Sequence, residues 1–393
     1  LSQPGVQQRL VASYTQHAPG PTTIVITAMH GNEPRTVEAA ERVCAELEQL
    51  DAPFAGRVCV LIGNQGAFQQ GTRFVDVDLN RAFTYTLDQA LHVHKLDEDV
   101  AEAREQRELI ASLQSIIEQR DADYPVFVVD LHTFSGPGAP FSVFSDTLRN
   151  RAFAACWPVP FILGLAEQLP GTIIDYLSAA GCVASTIETG QHEDPASADL
   201  HAAALRLALV RAGHVQPNAL ASLDDDFQML AEAARHVPRV LDVQVRHAIT
   251  PADNFRMKPG FANFDPVTAS QHLGQDANGP VLAERSGRLL LPLYQAQGSD
   301  GYFIARPIGR FWLELSACLR RIHLDNFIDV LPGVRSNPAR PGTLIITRRF
   351  TRSLGSDVLH LFGYRLWRED GDDVIVIRRP HDRRAPRDID LGV

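Results

Sequence analysis

The sequence predicts an α/β protein: a mixed, largely parallel sheet flanked by helices, followed by a small β-rich domain. Three observations predict it. Apolar, β-branched runs recur at 22–28 (TTIVITA), 57–62 (RVCVLI), 125–131 (PVFVVDL) and 182–187 (CVASTI). Segments with helical spacing lie between them, and that alternation is the signature of a parallel sheet covered by helices. After His214 the pattern changes to short strands punctuated by Gly and Pro.

The elements follow in order. Residues 22–28 and 57–62 read as buried strands, with a helix over 36–50 between them. Residues 88–120 are rich in Glu, Ala, Leu, Gln and Arg and read as one or two long helices, which places His92 and His94 on different helix faces in solvent. Strands at 125–131 and 182–187 come next. A helix is expected over 195–212, with Asp194 as its cap and Pro195 as its first residue. A connection with a short helix spans 215–240. These elements divide the chain into an expected catalytic domain (1–213), a β-rich domain (240–307) and a C-terminal extension (308–393). The extension begins with a helix at FWLELSACLRRI and continues with strand-like pieces, LIITRRF and VIVIRR. Its polar end, HDRRAPRDIDLGV, is expected to fray.

Composition narrows the function. The 393 residues carry 37 Lys+Arg against 47 Asp+Glu, a net charge of -10. That balance argues against a general nucleic-acid binder, which needs a basic face. No run approaches 18 apolar residues, so no membrane span is expected. The opening decapeptide lacks the basic and apolar regions of a secretory leader. Cys44, Cys59, Cys156, Cys182 and Cys318 form no CxxC pair and are odd in number, which points to a reduced, cytoplasmic protein. A homo-oligomer is neither demanded nor opposed by the composition.

Four motifs stand where strands end, which is where open α/β sheets bind ligands. His30-Gly31-Asn32-Glu33-Pro34 follows the first strand, and its His and Glu can point at one cation. Asp130-Leu131-His132 closes the third, with Asp130 and His132 on one side. His30, Glu33 and His132 together form a His₂Glu set, the three-ligand arrangement of catalytic zinc. One zinc ion per chain is expected. The third motif joins GNQGAF (63–68) to RFVDVDLNRAF (73–83). Its arginines could grip a carboxylate; on composition alone they simply pair with Asp76 and Asp78. The fourth is Ile187-Glu188-Thr189-Gly190-Gln191-His192. Glu188 beside a metal-activated water could act as general base and acid, or could be a capping or salt-bridged residue. His192 is a lesser alternative ligand.

Taken in order, HGNEP, GNQGAF, RFVDVDLNRAF, DLH and ETG resemble the succinylglutamate desuccinylase/aspartoacylase family, a branch of the zinc-carboxypeptidase-like hydrolases. The resemblance covers about residues 20–307 and includes 287–303 (GRLLLPLYQAQGSDGYF), similar to a C-terminal β domain that partly covers the active-site mouth. It implies zinc on His30, Glu33 and His132, with Glu188 as base and acid. It implies Arg73 polarising the scissile carbonyl, Asn80 and Arg81 clamping a substrate carboxylate, and Asp130 orienting a ligand histidine. Members that cleave N-acetylaspartate use a further arginine before the catalytic Glu. This chain has no Lys or Arg from Ala152 to Leu205, so a dianion held by that contact is not expected. Tyr176 could line the site. The 135–140 loop (SGPGAP) either shapes the acyl pocket or is a plain turn.

The expectation is therefore a zinc-dependent hydrolase that cleaves the amide of a small N-acylated amino acid bearing a carboxylate. A metallocarboxypeptidase acting on peptides fits the same zinc set and clamp. A non-catalytic binding protein on this fold is the third reading; it would be expected to lose Glu188 or a ligand, and all four are present.

Overall fold

The computed structural model describes residues 9–87, 91–324, 333–337, 343–347, 362–370, 373–384 and 386–392. Arg348, Arg349 and Phe350 of the expected LIITRRF strand lie outside them, as do residues 88–90.

The fold is the mixed α/β architecture the sequence predicts, built on an eleven-stranded sheet. Its strands are β1 (Leu10–Thr15), β2 (Ala18–Thr27), β3 (Ala55–Ile62), β6 (Val126–Phe134), β7 (Phe141–Val143), β8 (Phe161–Leu163), β9 (Val183–Gln191), β10 (Val240–Ala248), β12 (Pro266–Val267), β15 (Gly287–Leu290) and β16 (Asp300–Pro307). They run in the order β1-β3-β2-β6-β9-β7-β8-β10-β16-β15-β12. The centre is parallel, β2 pairing with β3 and β6, and β6 with β9. The near-continuous apolar runs fit this position, because strands covered on both faces have no solvent side to mark with polar residues. Alternation still sorts their side chains. Val25 packs with Val129 and Leu131 on one face, and Ile24 and Ile26 with Val126 and Val128 on the other.

Helices cover both faces. On the first lie α1 (Pro34–Glu48), α4 (Leu148–Ala154), α7 (Pro195–Ala212) and α8 (Leu223–Ala233). Buried Ala202, Ala203, Ala204 and Ala208 on α7 keep that layer thin. The second face is covered by α3 (Ala101–Glu118) and α6 (Ile173–Ala180). Two shorter helices, α2 (Gln65–Gln70) and α5 (Leu165–Gln168), sit near the strand ends. As expected, Asp194 caps α7, its side chain accepting from Ala196 N, with Pro195 first in the helix.

The β-rich stretch hydrogen-bonds directly into this sheet. β10 adds in parallel to β8, and β16, β15 and β12 follow antiparallel. A three-stranded sheet of β11 (Arg256–Met257), β13 (His272–Asp276) and β14 (Gly279–Leu282) lies apart. The extension contributes α9 (Arg310–Arg321) and a sheet of β17 (Val334–Ser336), β18 (Thr343–Thr347), β20 (Asp373–Arg378) and β19 (Tyr364–Asp370).

Two local expectations are corrected. His92 is not helical: β5 (Leu91–Val93) pairs with β4 (Tyr85–Leu87), and α3 begins only at Ala101. Leu91 and Val93 turn inward while His92 faces out, a period of two rather than 3.6. Nor does the polar tail fray. Leu391 is buried in the second core layer, and the Tyr176 hydroxyl donates to its carbonyl. Tyr176 is thereby spent on anchoring the tail and does not line the cavity described next.

Candidate active site

Each motif contributes by its position at a strand end. The turn 30–33 leaves β2 and enters α1. Gly31 is required there by close approach: a Cβ would stand 2.0 Å from the Ala67 backbone of α2. Glu33, fully buried, directs Oε1 at His30 Nδ1 (2.8 Å) and Oε2 at His132 Nδ1 (3.2 Å). The two imidazole centroids are 4.9 Å apart. One donor atom from each of the three residues falls within a 4.8 Å cluster.

A carboxylate stands behind each histidine. Asp130 Oδ2 lies 2.9 Å from His132 Nε2, and Asp78 Oδ1 lies 3.3 Å from His30 Nε2. Such partners fix ring orientation and turn the opposite nitrogen toward a common point. Electrostatics agree with the geometry. Burial alone would raise the Glu33 carboxyl, but the two imidazoles hold it well below the usual carboxylate range. Burial opposes a charged His132, yet Asp130 and Glu33 push it well above its ordinary value. The donor set, two imidazoles and one carboxylate with carboxylates behind them, fits a zinc ion.

Glu188 reaches the same cavity from β9, directly across from His132 in the β6–β9 pairing. Its Oε2 is buried and has no hydrogen-bond partner among the described residues. Burial is the main force that pushes its carboxyl up to about 8, with His132 opposing and Glu33 adding to the rise.

The 73–83 segment supplies the cations. Arg73 pairs with Asp78 at 3.0 Å, as composition alone suggested, whereas Asp76 instead accepts from Ala101 N at the start of α3. Arg81 Nη1 donates to the Asn80 carbonyl (2.9 Å), and its Nη2 faces Asp300 at 3.5 Å. Asn80 accepts from Ile173 N (2.9 Å) and places its amide 3.4 Å from His132 Nε2. His30, Glu33, Arg73, Asn80, Arg81, His132 and Glu188 all line one cavity of about 120 Å³. Asp130 stands behind it. His192 stays outside the donor cluster: its Nε2 donates to Gln295 Oε1 (3.0 Å) and its Nδ1 accepts from the Thr133 hydroxyl (2.7 Å).

The segment 291–300 forms the far wall. Gln295 Oε1 also accepts from Asn32 Nδ2 (2.9 Å), and Gln297 bonds the backbones of Arg73 and Phe74. The 135–140 loop is clamped to this region, Pro137 accepting from Asn263 N at 2.8 Å, and its Ser135 lines the cavity. Asp300 is the residue that sequence reasoning missed. It lies 219 positions from Arg81, and no local pattern ties the two. Asp78, by contrast, was visible within the 73–83 motif.

Fold and site together define a mixed α/β scaffold with a buried His-Glu-His donor set at the strand ends. Residues 19–142 match the succinylglutamate desuccinylase/aspartoacylase catalytic domain. The chain is 34% identical over 85 residues to the succinylglutamate desuccinylase of Shewanella piezotolerans, which is 20% of this chain and 25% of that one. It is 26% identical over 179 residues to that of Pseudoalteromonas atlantica, 43% of this chain and 49% of that one. The matched segments thus span half or less of these curated relatives. A crystal structure of succinylglutamate desuccinylase/aspartoacylase from Rhodobacter sphaeroides superposes with a TM-score of 0.54 at 16% identity, covering 75% of this chain and 87% of that one. At that identity the likeness concerns the fold. Among the described residues, no helix is long and apolar enough to cross a membrane.

Proposed function

We propose that this protein is a zinc-dependent deacylase that hydrolyses the amide bond of a small N-acylated amino acid. The observation that carries the reading is one cavity wall holding both a buried His30-Glu33-His132 donor set and an unpartnered Glu188 carboxyl. Zinc held by His30, Glu33 and His132 would supply Lewis acidity toward water and the scissile carbonyl. Glu188 in its carboxylate form removes a proton from the attacking water, and the burial that pushes its carboxyl up favours keeping that proton for the next transfer. It delivers the proton to the departing nitrogen, so that the amide yields a carboxylate and an amine. Arg73 faces the oxygen on which charge develops, and a preorganised donor of this kind is typically worth about 3 to 4 kcal/mol. Asn80 and Arg81 hold the substrate carboxylate and so fix the amide's orientation. The match of residues 19–142 to a succinylglutamate desuccinylase/aspartoacylase catalytic domain supports a deacylase over the carboxypeptidase reading.

The test is Glu188→Gln in the zinc-loaded protein, with amine release measured from N-acyl amino acids. Zinc content should stay at the wild-type level while the rate falls at least 100-fold. A variant that keeps more than about a tenth of the rate would remove Glu188 from the mechanism.

A further inference from the structure

We propose that the cavity selects a substrate with one carboxylate and an otherwise uncharged, apolar body: an N-acylated apolar amino acid rather than a dicarboxylic or basic one. This rests on the deacylase reading and narrows it.

The charge balance of the lining comes first. Its two guanidiniums already face carboxylates of the chain itself, Arg73 to Asp78 at 3.0 Å and Arg81 to Asp300 at 3.5 Å. Asp300 is shared with Arg246 at 2.6 Å and accepts from the Ser299 hydroxyl at 3.2 Å. The set Arg81-Asp300-Arg246 therefore carries one net positive charge, enough for one substrate carboxylate. A second carboxylate finds no further Arg or Lys among the lining residues. A substrate ammonium fares no better, because Asp300 is already divided between two arginines. Unpaired charge in such a site is strongly disfavoured.

Much of the rest of the wall is apolar, beside Thr133, Ser135, Thr172, Thr186, Gln295 and Ser299. Val143 of β7, Leu165 of α5, Leu169 just after that helix, Ile174 of α6, Leu291 and Phe303 face the cavity. Leu165 and Phe303 belong to a buried cluster with Phe134 and Phe141, so this surface is fixed by core packing. A preformed apolar wall rewards an apolar group and cannot hydrogen-bond a polar one.

The experiment pairs binding with turnover. Calorimetry on the full-length, zinc-loaded Glu188→Gln protein measures N-acetylleucine, N-acetylaspartate and Nα-acetyllysine, and the wild-type protein is assayed on the same three. N-acetylleucine should bind at least tenfold more tightly than the other two. Leu169→Arg, at a partly exposed position, should narrow the gap to N-acetylaspartate at least tenfold. Equal or tighter binding of N-acetylaspartate or Nα-acetyllysine overturns the specificity and leaves the deacylase reading standing. The expected binding order without turnover by wild-type protein overturns the deacylase reading and supports the subsite. No binding of any of the three at millimolar concentration, or a folded Leu169→Arg protein with unchanged preference, overturns the proposal; the wild-type binding order decides if that variant does not fold.

Discussion

Asp130 shows how much of this site is decided one residue away from the donors. It sits on β6 two positions before His132, fully buried, and its Oδ2 lies 2.9 Å from His132 Nε2. With that nitrogen engaged, Nδ1 is the one left to face Glu33. Without the carboxylate, the nearest polar partner of Nε2 is the Asn80 amide at 3.4 Å. The imidazole would then be free to rotate, and a ligand in the wrong orientation binds metal weakly. Asp130→Ala should lower zinc affinity about 10- to 100-fold, as losses behind a metal ligand generally do. Competition against a chromophoric chelator measures this directly. An affinity within a factor of two of wild type would show that His132 is oriented by something else. Asp130 was legible in the sequence because a strand places alternate residues on one side. Asp300 was not, since its contact with Arg81 exists only after β16 has joined the sheet through β10.

At the scale of elements, the junction after α7 ties the helical layer to the sheet through one histidine. His214 Nδ1 donates to the Ala55 carbonyl, and Nε2 accepts from the Thr23 hydroxyl, both at 2.7 Å. Its ring stacks on Phe54 at 4.9 Å. This pattern needs the neutral imidazole, and burial accordingly pushes the group down from 6.5 to about 4. A pKa lowered on folding means that the unfolded chain takes up the proton first. The stability this group contributes is complete above about pH 6.5 and is lost as pH falls toward 4. At about 1.4 kcal/mol per unit the loss is on the order of 3 kcal/mol. His201, also pushed down to about 4 by burial, adds to the same window. His214→Gln should flatten the dependence of the urea midpoint on pH between 6.5 and 4.5, and an unchanged slope would rule out His214 as a source. The helix that leads to His214 was readable because Asp194 and Pro195 mark its start and apolar spacing runs through it. The segment around His92 was not, because its composition favours a helix while tertiary pairing with β4 makes it a strand.

Across the whole molecule, the C-terminal extension is built into the α/β scaffold by buried charge. Asp146, just after β7, pairs with Arg151 of α4 and lies 3.5 Å from Arg320 of α9. Arg320 is fully buried and also holds Asp382 of the tail at 2.7 Å. Arg379 pairs with Glu167 of α5, the helix whose Leu165, with Leu169 just beyond its end, lines the candidate cavity. Hydrophobic patterning gave no hint of this arrangement, since an Arg-rich, polar tail reads as solvated until its partners are known. Burial alone would raise the Asp146 carboxyl, but Arg151 and Arg320 hold it far below the usual range. Its contribution is therefore complete above pH 4 and is lost only as the solution becomes strongly acidic. Removing one partner from such a cluster leaves a buried carboxylate uncompensated, which costs about 3 to 5 kcal/mol. Arg320→Ala should lower stability by that amount at pH 7, and the difference from wild type should shrink only in strongly acidic solution, as Asp146 takes up its proton. Denaturant titrations at pH 7 and at about pH 2 measure both quantities. A loss under 1 kcal/mol at pH 7 would mean that the extension is held by its apolar contacts, such as Leu391 in the second core layer, and that the ion cluster only sets its register.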